Sequence, residues 1–172
     1  MTVLVAAASR HGATAEIADR ICTDLVDRGL SVEVQNLPVA NDDLSGYEAF
    51  VIGSAIYLGK WLKDATRFAE AHAEELTTHP TWLFASGSIV GDPPVGDDPN
   101  AMRPSLAEKL IASTHAREHK LFAGKLDSSK LSSCEKLPVR MARGREGDWR
   151  DWKQVDAWAD SIAATLLDTS AE

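Results

Sequence analysis

The sequence predicts an α/β domain in which parallel strands form a central sheet and helices cover both of its faces. Short apolar runs recur at residues 3–8, 50–53 and 82–85, as expected of strands that are buried on both faces. Segments with apolar residues at helical spacing lie between these runs. Strands that alternate with helices in this way form a parallel sheet with right-handed crossovers.

The first strand and the first helix are predicted at residues 3–8 and 15–28. Within the helix, Ile17, Ile21 and Leu25 recur at i, i+4 and i+8, which makes one apolar stripe. Gly29 follows as a residue that ends a helix in the left-handed conformation at little cost. The intervening turn, residues 9–14, therefore lies at the carboxyl edge of the predicted sheet.

The later elements continue the alternation. Strands are predicted at residues 31–37, 50–53, 82–85 and 120–124, and helices at 60–76, 105–115 and 152–166. The second strand alternates apolar and polar residues, which suits the edge of a sheet. Residues 87–104 are rich in Gly, Pro and Asp and are too long for a simple connector in a compact domain.

The turn at residues 9–14 is suited to one phosphate group. The N–H groups that begin a helix lack acceptors and carry the positive end of the helix dipole. Ser9 and Thr14 could add hydroxyl donors, and Gly12 allows a close approach of the backbone. The spacings typical of nucleoside-triphosphate and dinucleotide loops are absent, so a monophosphate is expected. A plain helix cap is the alternative, and Arg10 and His11 could either neutralise the phosphate or be solvated.

The pattern Ser9-x-x-Gly12-x-Thr14 after an N-terminal strand resembles the FMN phosphate loop of the flavodoxin family. Residues 51–59 and 147–159 further resemble the branch that contains menaquinone-dependent protoporphyrinogen oxidase. The resemblance spans nearly the whole chain. It implies a single flavodoxin-like domain, residues 1–172, with an insertion at about 125–148. The implied fold is a three-layer sandwich with a five-stranded parallel sheet in the order 2-1-3-4-5.

The same resemblance implies an FMN site formed by three loops at the carboxyl edge of the sheet. Tyr57 or Ile56 would cover one face of the isoalloxazine ring, although Tyr57 could instead be a packing residue. Gly87 and Ser88 would let backbone N–H groups reach the pyrimidine edge. The predicted cofactor-binding residues are Ser9, Arg10, His11, Gly12, Ala13, Thr14, Ala55, Ile56, Tyr57, Leu58, Gly59, Ser86, Gly87, Ser88 and Ile89. No catalytic side chain is predicted, because the flavin would carry the chemistry.

The implied function is an FMN-dependent oxidoreductase that moves electrons from a reduced organic substrate to a quinone-type acceptor. A non-enzymatic electron-transfer flavodoxin is the alternative, and an interaction domain that binds no flavin is another. A phospho-receiver domain is disfavoured because Ile52-Gly53-Ser54 lacks the aspartate needed there. The insertion at 125–148 carries basic and apolar residues that could meet an anionic membrane surface or an acidic redox partner, or could be a solvated loop.

The amino-acid composition further restricts the functions and cellular locations that are expected. The chain has 172 residues, with 26 acidic against 18 basic ones, so nucleic-acid binding is disfavoured. Cys22 and Cys134 have no metal-binding spacing and indicate a reducing compartment. No apolar run approaches the ~20 residues needed to cross a bilayer, which favours a cytoplasmic protein. Peripheral contact with the inner face of the membrane is compatible with this location. Surface positions are predicted for His72, His79, His115 and His119, and packing positions for Trp61, Trp149, Trp152 and Trp158.

Overall fold

The structure, a computed structural model, describes residues 1–39, 43–57, 60–87, 105–127, 129 and 147–169. The strands are β1 (Thr2–Ala8), β2 (Ser31–Asn36), β3 (Ala49–Tyr57), β4 (Lys60–Trp61), β5 (Thr81–Gly87), β6 (Glu118–Ala123), β7 (Lys125–Leu126) and β8 (Gly147–Asp148). The helices are α1 (Ala13–Asp27), α2 (Lys63–Ala71), α3 (Ala73–Thr78), α4 (Ser105–Thr114) and α5 (Trp152–Thr169).

The central sheet has its parallel strands in the order β2-β1-β3-β5-β6. This order is the predicted 2-1-3-4-5 arrangement, because the two-residue β4 only pairs antiparallel with the end of β3. The order places β1 and β3 side by side at the centre, while the half-buried β2 lies at an edge as predicted. The chain adds β2 on one side of β1 and then β3 on the other, so the strand order switches between β1 and β3. Folds of this kind bind ligands at such a switch point.

Two apolar cores lie on opposite faces of the sheet. Successive side chains of β1 alternate between them: Val3 and Val5 pack with residues of α1 and α5, whereas Leu4 packs with residues of α2, α3 and α4. Both faces of β1 are fully buried, which accounts for its uninterrupted apolar sequence. The predicted three-layer α/β sandwich is confirmed.

Helix α1 ends as the sequence predicts. Gly29 adopts a left-handed conformation with φ of 88°. Its N–H donates to the carbonyl of Val26 at 2.8 Å, and the N–H of Leu30 donates to the carbonyl of Leu25 at 3.2 Å. These two bonds satisfy carbonyl groups at the end of the helix and turn the chain toward β2.

Several element boundaries differ from the predictions. The apolar spacing predicts one helix over 60–76, but the structure has β4, α2 and α3 there. Trp61 is buried as predicted, but it lies in β4, opposite Ile56 of β3. The buried hydroxyl of Ser54 accepts a hydrogen bond from the N–H of Leu62 at 2.9 Å, so the chain reaches α2 only after the short β3–β4 hairpin.

Four of the predicted side-chain environments are wrong. His72 and His119 are buried, because their rings pack against Phe68 at 4.8 Å and Trp61 at 6.0 Å. Trp149 and Trp152 are exposed, whereas Trp158 is buried as predicted. The exposed positions of His79 and His115 agree with the predictions.

Candidate functional site

The turn between β1 and α1 is held in a defined shape by its own residues. The hydroxyl of Ser9 accepts a hydrogen bond from the N–H of Gly12 at 3.1 Å. Gly12 has a φ of 91°, a left-handed conformation that a residue with a side chain adopts only under strain. The turn therefore depends on both a hydroxyl at position 9 and a glycine at position 12.

Helix α1 begins without a side-chain cap. Gly12 occupies the N-cap position, and no side-chain hydrogen bond caps this end of the helix in the described part of the chain. Glu16 is the first residue to bond back into the turn, its N–H donating to the carbonyl of Gly12 at 2.9 Å. The three preceding N–H groups, of Ala13, Thr14 and Ala15, have no acceptor within the helix. They form a donor set suited to an anion.

Thr14 joins the turn to the carboxyl end of β5. Its hydroxyl oxygen lies 2.8 Å from that of Ser86, and both residues are buried, at 1% and 3% exposure. The side chain of Thr14 is thus engaged by β5, whereas its backbone N–H belongs to the donor set of the helix start. Two of the three predicted loops are in direct contact through this hydrogen bond.

The end of β3 also contacts the turn. The guanidinium carbon of Arg10 lies 4.6 Å from the centre of the half-buried Tyr57 ring. Residues 54–57, predicted as a loop, extend β3 because they pair with β5 and β4. The β3–β4 hairpin therefore places Tyr57 beside the turn between β1 and α1, with Ala55 and Ile56 preceding it in β3.

Gly87 allows β3 and β5 to approach closely at this edge. A methyl group at Gly87 would lie 3.2 Å from Cβ of Ile56, a tighter contact than such atoms usually make. The carbonyl of Gly87 accepts a hydrogen bond from the N–H of Gly124 at 2.7 Å. Ser86 and Gly87, predicted as loop residues, form the last residues of β5.

The structure brings together the predicted site residues that it describes, namely Ser9, Arg10, His11, Gly12, Ala13, Thr14, Ala55, Ile56, Tyr57, Ser86 and Gly87. All of them lie at or beyond the carboxyl ends of the adjacent strands β1, β3 and β5. Leu58, Gly59, Ser88 and Ile89 lie outside the described residues. So do Cys134 and most of the predicted insertion at 125–148.

The sequence predictions missed a charged group next to this site. The side chain of Arg150, only 4% exposed, donates to the carboxylate of Glu16 in the first turn of α1 at 2.6 Å. It also forms two hydrogen bonds with Asp148, at 2.8 and 2.6 Å, which lower the pKa of that carboxyl group. The spacing of Asp148 and Arg150 in the sequence is only a weak indication of an ion pair between them. Nothing in the local sequence indicates that Arg150 contacts Glu16.

A family model described as "Flavodoxin domain" matches residues 4–152, so the chain belongs to the flavodoxin family. Among curated proteins, it resembles the protoporphyrinogen IX dehydrogenase [quinone] of Escherichia coli strain K12. The two are 26% identical over 175 aligned positions that cover 95% of each chain.

Solved structures show the same fold. The flavodoxin of Streptococcus pneumoniae TIGR4 has a TM-score of 0.62 and 18% identity, covering 96% of this chain and 99% of that one. Rubredoxin oxygen:oxidoreductase of Desulfovibrio gigas has a TM-score of 0.67 and 12% identity, covering 99% of this chain. This chain spans 37% of the length of that larger protein.

The family implies a flavin, and the residues present fit its phosphate. The uncapped start of α1 offers three N–H donors, and Gly12 leaves the approach to them without a side chain. Across the portion of the chain that the structure describes, no group of three or more His, Cys, Asp or Glu side chains could hold a metal ion. No helix in that portion is long and apolar enough to span a membrane.

Proposed function

We propose that this protein is an FMN-dependent oxidoreductase that passes electrons from a reduced organic substrate to a quinone-type acceptor. The observation that carries the proposal is the uncapped start of α1, with its three N–H donors behind Gly12. Membership of the flavodoxin family supports a flavin, and the resemblance to a protoporphyrinogen dehydrogenase that uses a quinone supports the reaction class. FMN, when bound, supplies the redox chemistry.

The residues of the three loops have distinct roles in this proposal. The N–H groups of Ala13, Thr14 and Ala15 hold the phosphate, while Ser9 and Gly12 fix the shape of the turn. Tyr57 and Ile56 lie alongside the flavin ring, and Gly87 gives the ring access to backbone groups of β5. Leu58, Gly59, Ser88 and Ile89 remain predicted members of the site. The position of the described residues at the carboxyl edge of the sheet supports these roles.

A binding and turnover experiment tests this proposal. The purified protein is titrated with FMN while flavin fluorescence is recorded, and the complex is then mixed with protoporphyrinogen and a menaquinone analogue. We expect saturable FMN binding and quinone reduction that depends on both FMN and protoporphyrinogen. A titration that shows no binding of FMN would contradict the proposal, because the reaction requires the bound flavin.

An electron-transfer flavodoxin is the second candidate. The hydrogen bonds described within the site are made by backbone amides and hydroxyl groups, namely Ser9 with Gly12 and Thr14 with Ser86. That arrangement suits a carrier whose cofactor meets a redox partner. FMN binding with no turnover of protoporphyrinogen or quinone, but with electron exchange with a flavoprotein reductase, would favour this candidate. Contact of residues 125–148 with a membrane or partner stays a prediction.

A further inference from the structure

We infer that Arg150 is a positioning residue that favours a phosphorylated flavin over an unphosphorylated one, because its guanidinium offsets negative charge at Glu16 beside the turn between β1 and α1. The inference rests on the proposed function. It concerns a residue from the far end of the chain that sequence reasoning did not connect with the turn. Its consequence is a difference in binding between FMN and riboflavin, which lacks the phosphate.

Arg150 is held by contacts on three sides. Its guanidinium donates to Glu16 at 2.6 Å and forms the two bonds with Asp148. Its central carbon also lies 4.6 Å from the centre of the Trp152 ring. With only 4% of the side chain exposed, the guanidinium has little freedom to leave this position. The guanidinium of Arg150 is planar and always ionised, and its fixed partners hold its positive charge at a defined position.

The carboxylate that Arg150 binds lies next to the phosphate turn. A Cβ atom placed on Gly12 would be 3.9 Å from Oε1 of Glu16. Glu16 also donates its N–H to the carbonyl of Gly12. The carboxylate therefore shares the small volume in which an anion would meet the first N–H groups of α1.

A phosphate ester carries a charge of about −1.5 to −2 at pH 7, so an uncompensated carboxylate there would repel it. Arg150 supplies one positive charge against the two carboxylates of Glu16 and Asp148, so its loss would leave two negative charges near the turn without their bound cation. The same contacts also attach the segment before α5 to α1. A purely structural role would affect every flavin equally, whereas the electrostatic role affects only the phosphorylated one.

The structure provides a matched control in Arg20. Its guanidinium forms two hydrogen bonds with Asp156, at 2.8 and 2.9 Å, and so also joins α1 to α5. Arg20 lies one helical turn beyond Glu16 on α1, and its guanidinium forms ion pairs with Asp24 and Asp156. Arg20→Met removes a comparable attachment of α1 while leaving the contacts of Arg150 with Glu16 and Asp148 in place.

The experiment measures dissociation constants for FMN and for riboflavin in the wild type and in Arg150→Met, Arg150→Lys, Glu16→Gln, Glu16→Gln/Arg150→Met and Arg20→Met. We expect Arg150→Met to weaken FMN binding about five- to tenfold and riboflavin binding less than about twofold. Arg150→Lys should retain most of the affinity for FMN. Adding Glu16→Gln to Arg150→Met should recover most of the loss, and Arg20→Met should leave the ratio between the two flavins unchanged.

Equal weakening of FMN and riboflavin in Arg150→Met, or no change in either, would overturn the inference while leaving the proposed function intact. If Arg150→Met does not fold, Glu16→Gln alone decides: tighter FMN binding with unchanged riboflavin binding supports the inference, and an unchanged ratio refutes it. A wild-type protein that binds neither flavin would instead refute the proposed function.

Discussion

The hydroxyl oxygens of Thr14 and Ser86 lie 2.8 Å apart in a buried hydrogen bond that ties the first turn of α1 to the end of β5. This bond fixes the start of the helix relative to the sheet. The N–H donors of the helix start are consequently held at the carboxyl edge of β1 and β5. This contact between two polar side chains therefore contributes to the preorganisation of the proposed phosphate site, together with the Ser9–Gly12 bond within the turn.

Loss of one partner of this bond should destabilise the fold. Thr14→Val leaves the buried Ser86 hydroxyl without Thr14 as its partner, which should lower the free energy of unfolding by about 1–3 kcal/mol. Thr14→Val/Ser86→Ala removes both polar groups and should recover much of that loss. Urea denaturation of the wild type, the two single variants and the double variant measures the coupling. Strictly additive effects of the two substitutions would contradict a direct interaction.

Replacement of Gly12 should affect both stability and FMN binding. Gly12→Ala forces a side chain into the left-handed conformation, at a cost of roughly 1–2 kcal/mol. Gly29→Ala is the matched control, because Gly29 also has a positive φ, has no atom within 4 Å of where a Cβ would lie, and is at the other end of α1. Thermal unfolding should show similar losses for both variants. Titration with FMN should show weaker binding only for Gly12→Ala, and equal affinity in both would contradict the proposed role of the turn.

Gly53 in β3 should be intolerant of any side chain. A methyl group there would lie 2.0 Å from the ring of Phe84, which packs against both Phe122 and Trp158. Gly53→Ala should therefore destabilise the protein by about 1–3 kcal/mol or more, as overpacked cores do. Gly46→Ala, at a glycine with open space and no positive φ, should change stability little. Chemical denaturation of the two variants tests this contrast.

The ion pair between Asp148 and Arg150 should contribute to stability in a pH-dependent way. Hydrogen bonds from Arg150 lower the pKa of Asp148 in the folded state below its ordinary value. A lowered carboxyl pKa stabilises the fold above the unfolded pKa, and this contribution is lost as the pH falls through the folded pKa. The effect should be below about 1 kcal/mol, because Asp148 is partly exposed. Unfolding free energies of the wild type and Asp148→Asn between neutral and acidic pH should converge as the pH falls; a constant difference would contradict this.

The sheet and its order could be predicted because the central strands are buried on both faces. Residues 3–8 are apolar throughout for this reason, and the left-handed Gly29 marks the end of α1. The ends of β3 and β5 could not be predicted from composition. Ser54, Ser86 and Gly87 are residues typical of loops, and only pairing with neighbouring strands extends the ladder through them.

The candidate site was predictable in part. The spacing of Ser9, Gly12 and Thr14 indicates the turn, but it does not reveal that Thr14 bonds to Ser86, 72 positions away. Arg150 and Glu16 are 134 positions apart, and no local pattern links them. Contacts of this kind arise from the packing of α1 against β5 and against the segment that leads into α5, which only the three-dimensional structure shows.

The most direct test of the central claim compares the affinity of the wild-type protein for FMN with its affinity for riboflavin at equal pH and ionic strength. If the start of α1 binds the phosphate, FMN should bind at least about tenfold more tightly, since one hydrogen bond to a charged group contributes ~1.5–3 kcal/mol. Equal affinities for the two flavins, or no binding of either, would contradict the assignment of the turn between β1 and α1 as a flavin phosphate site.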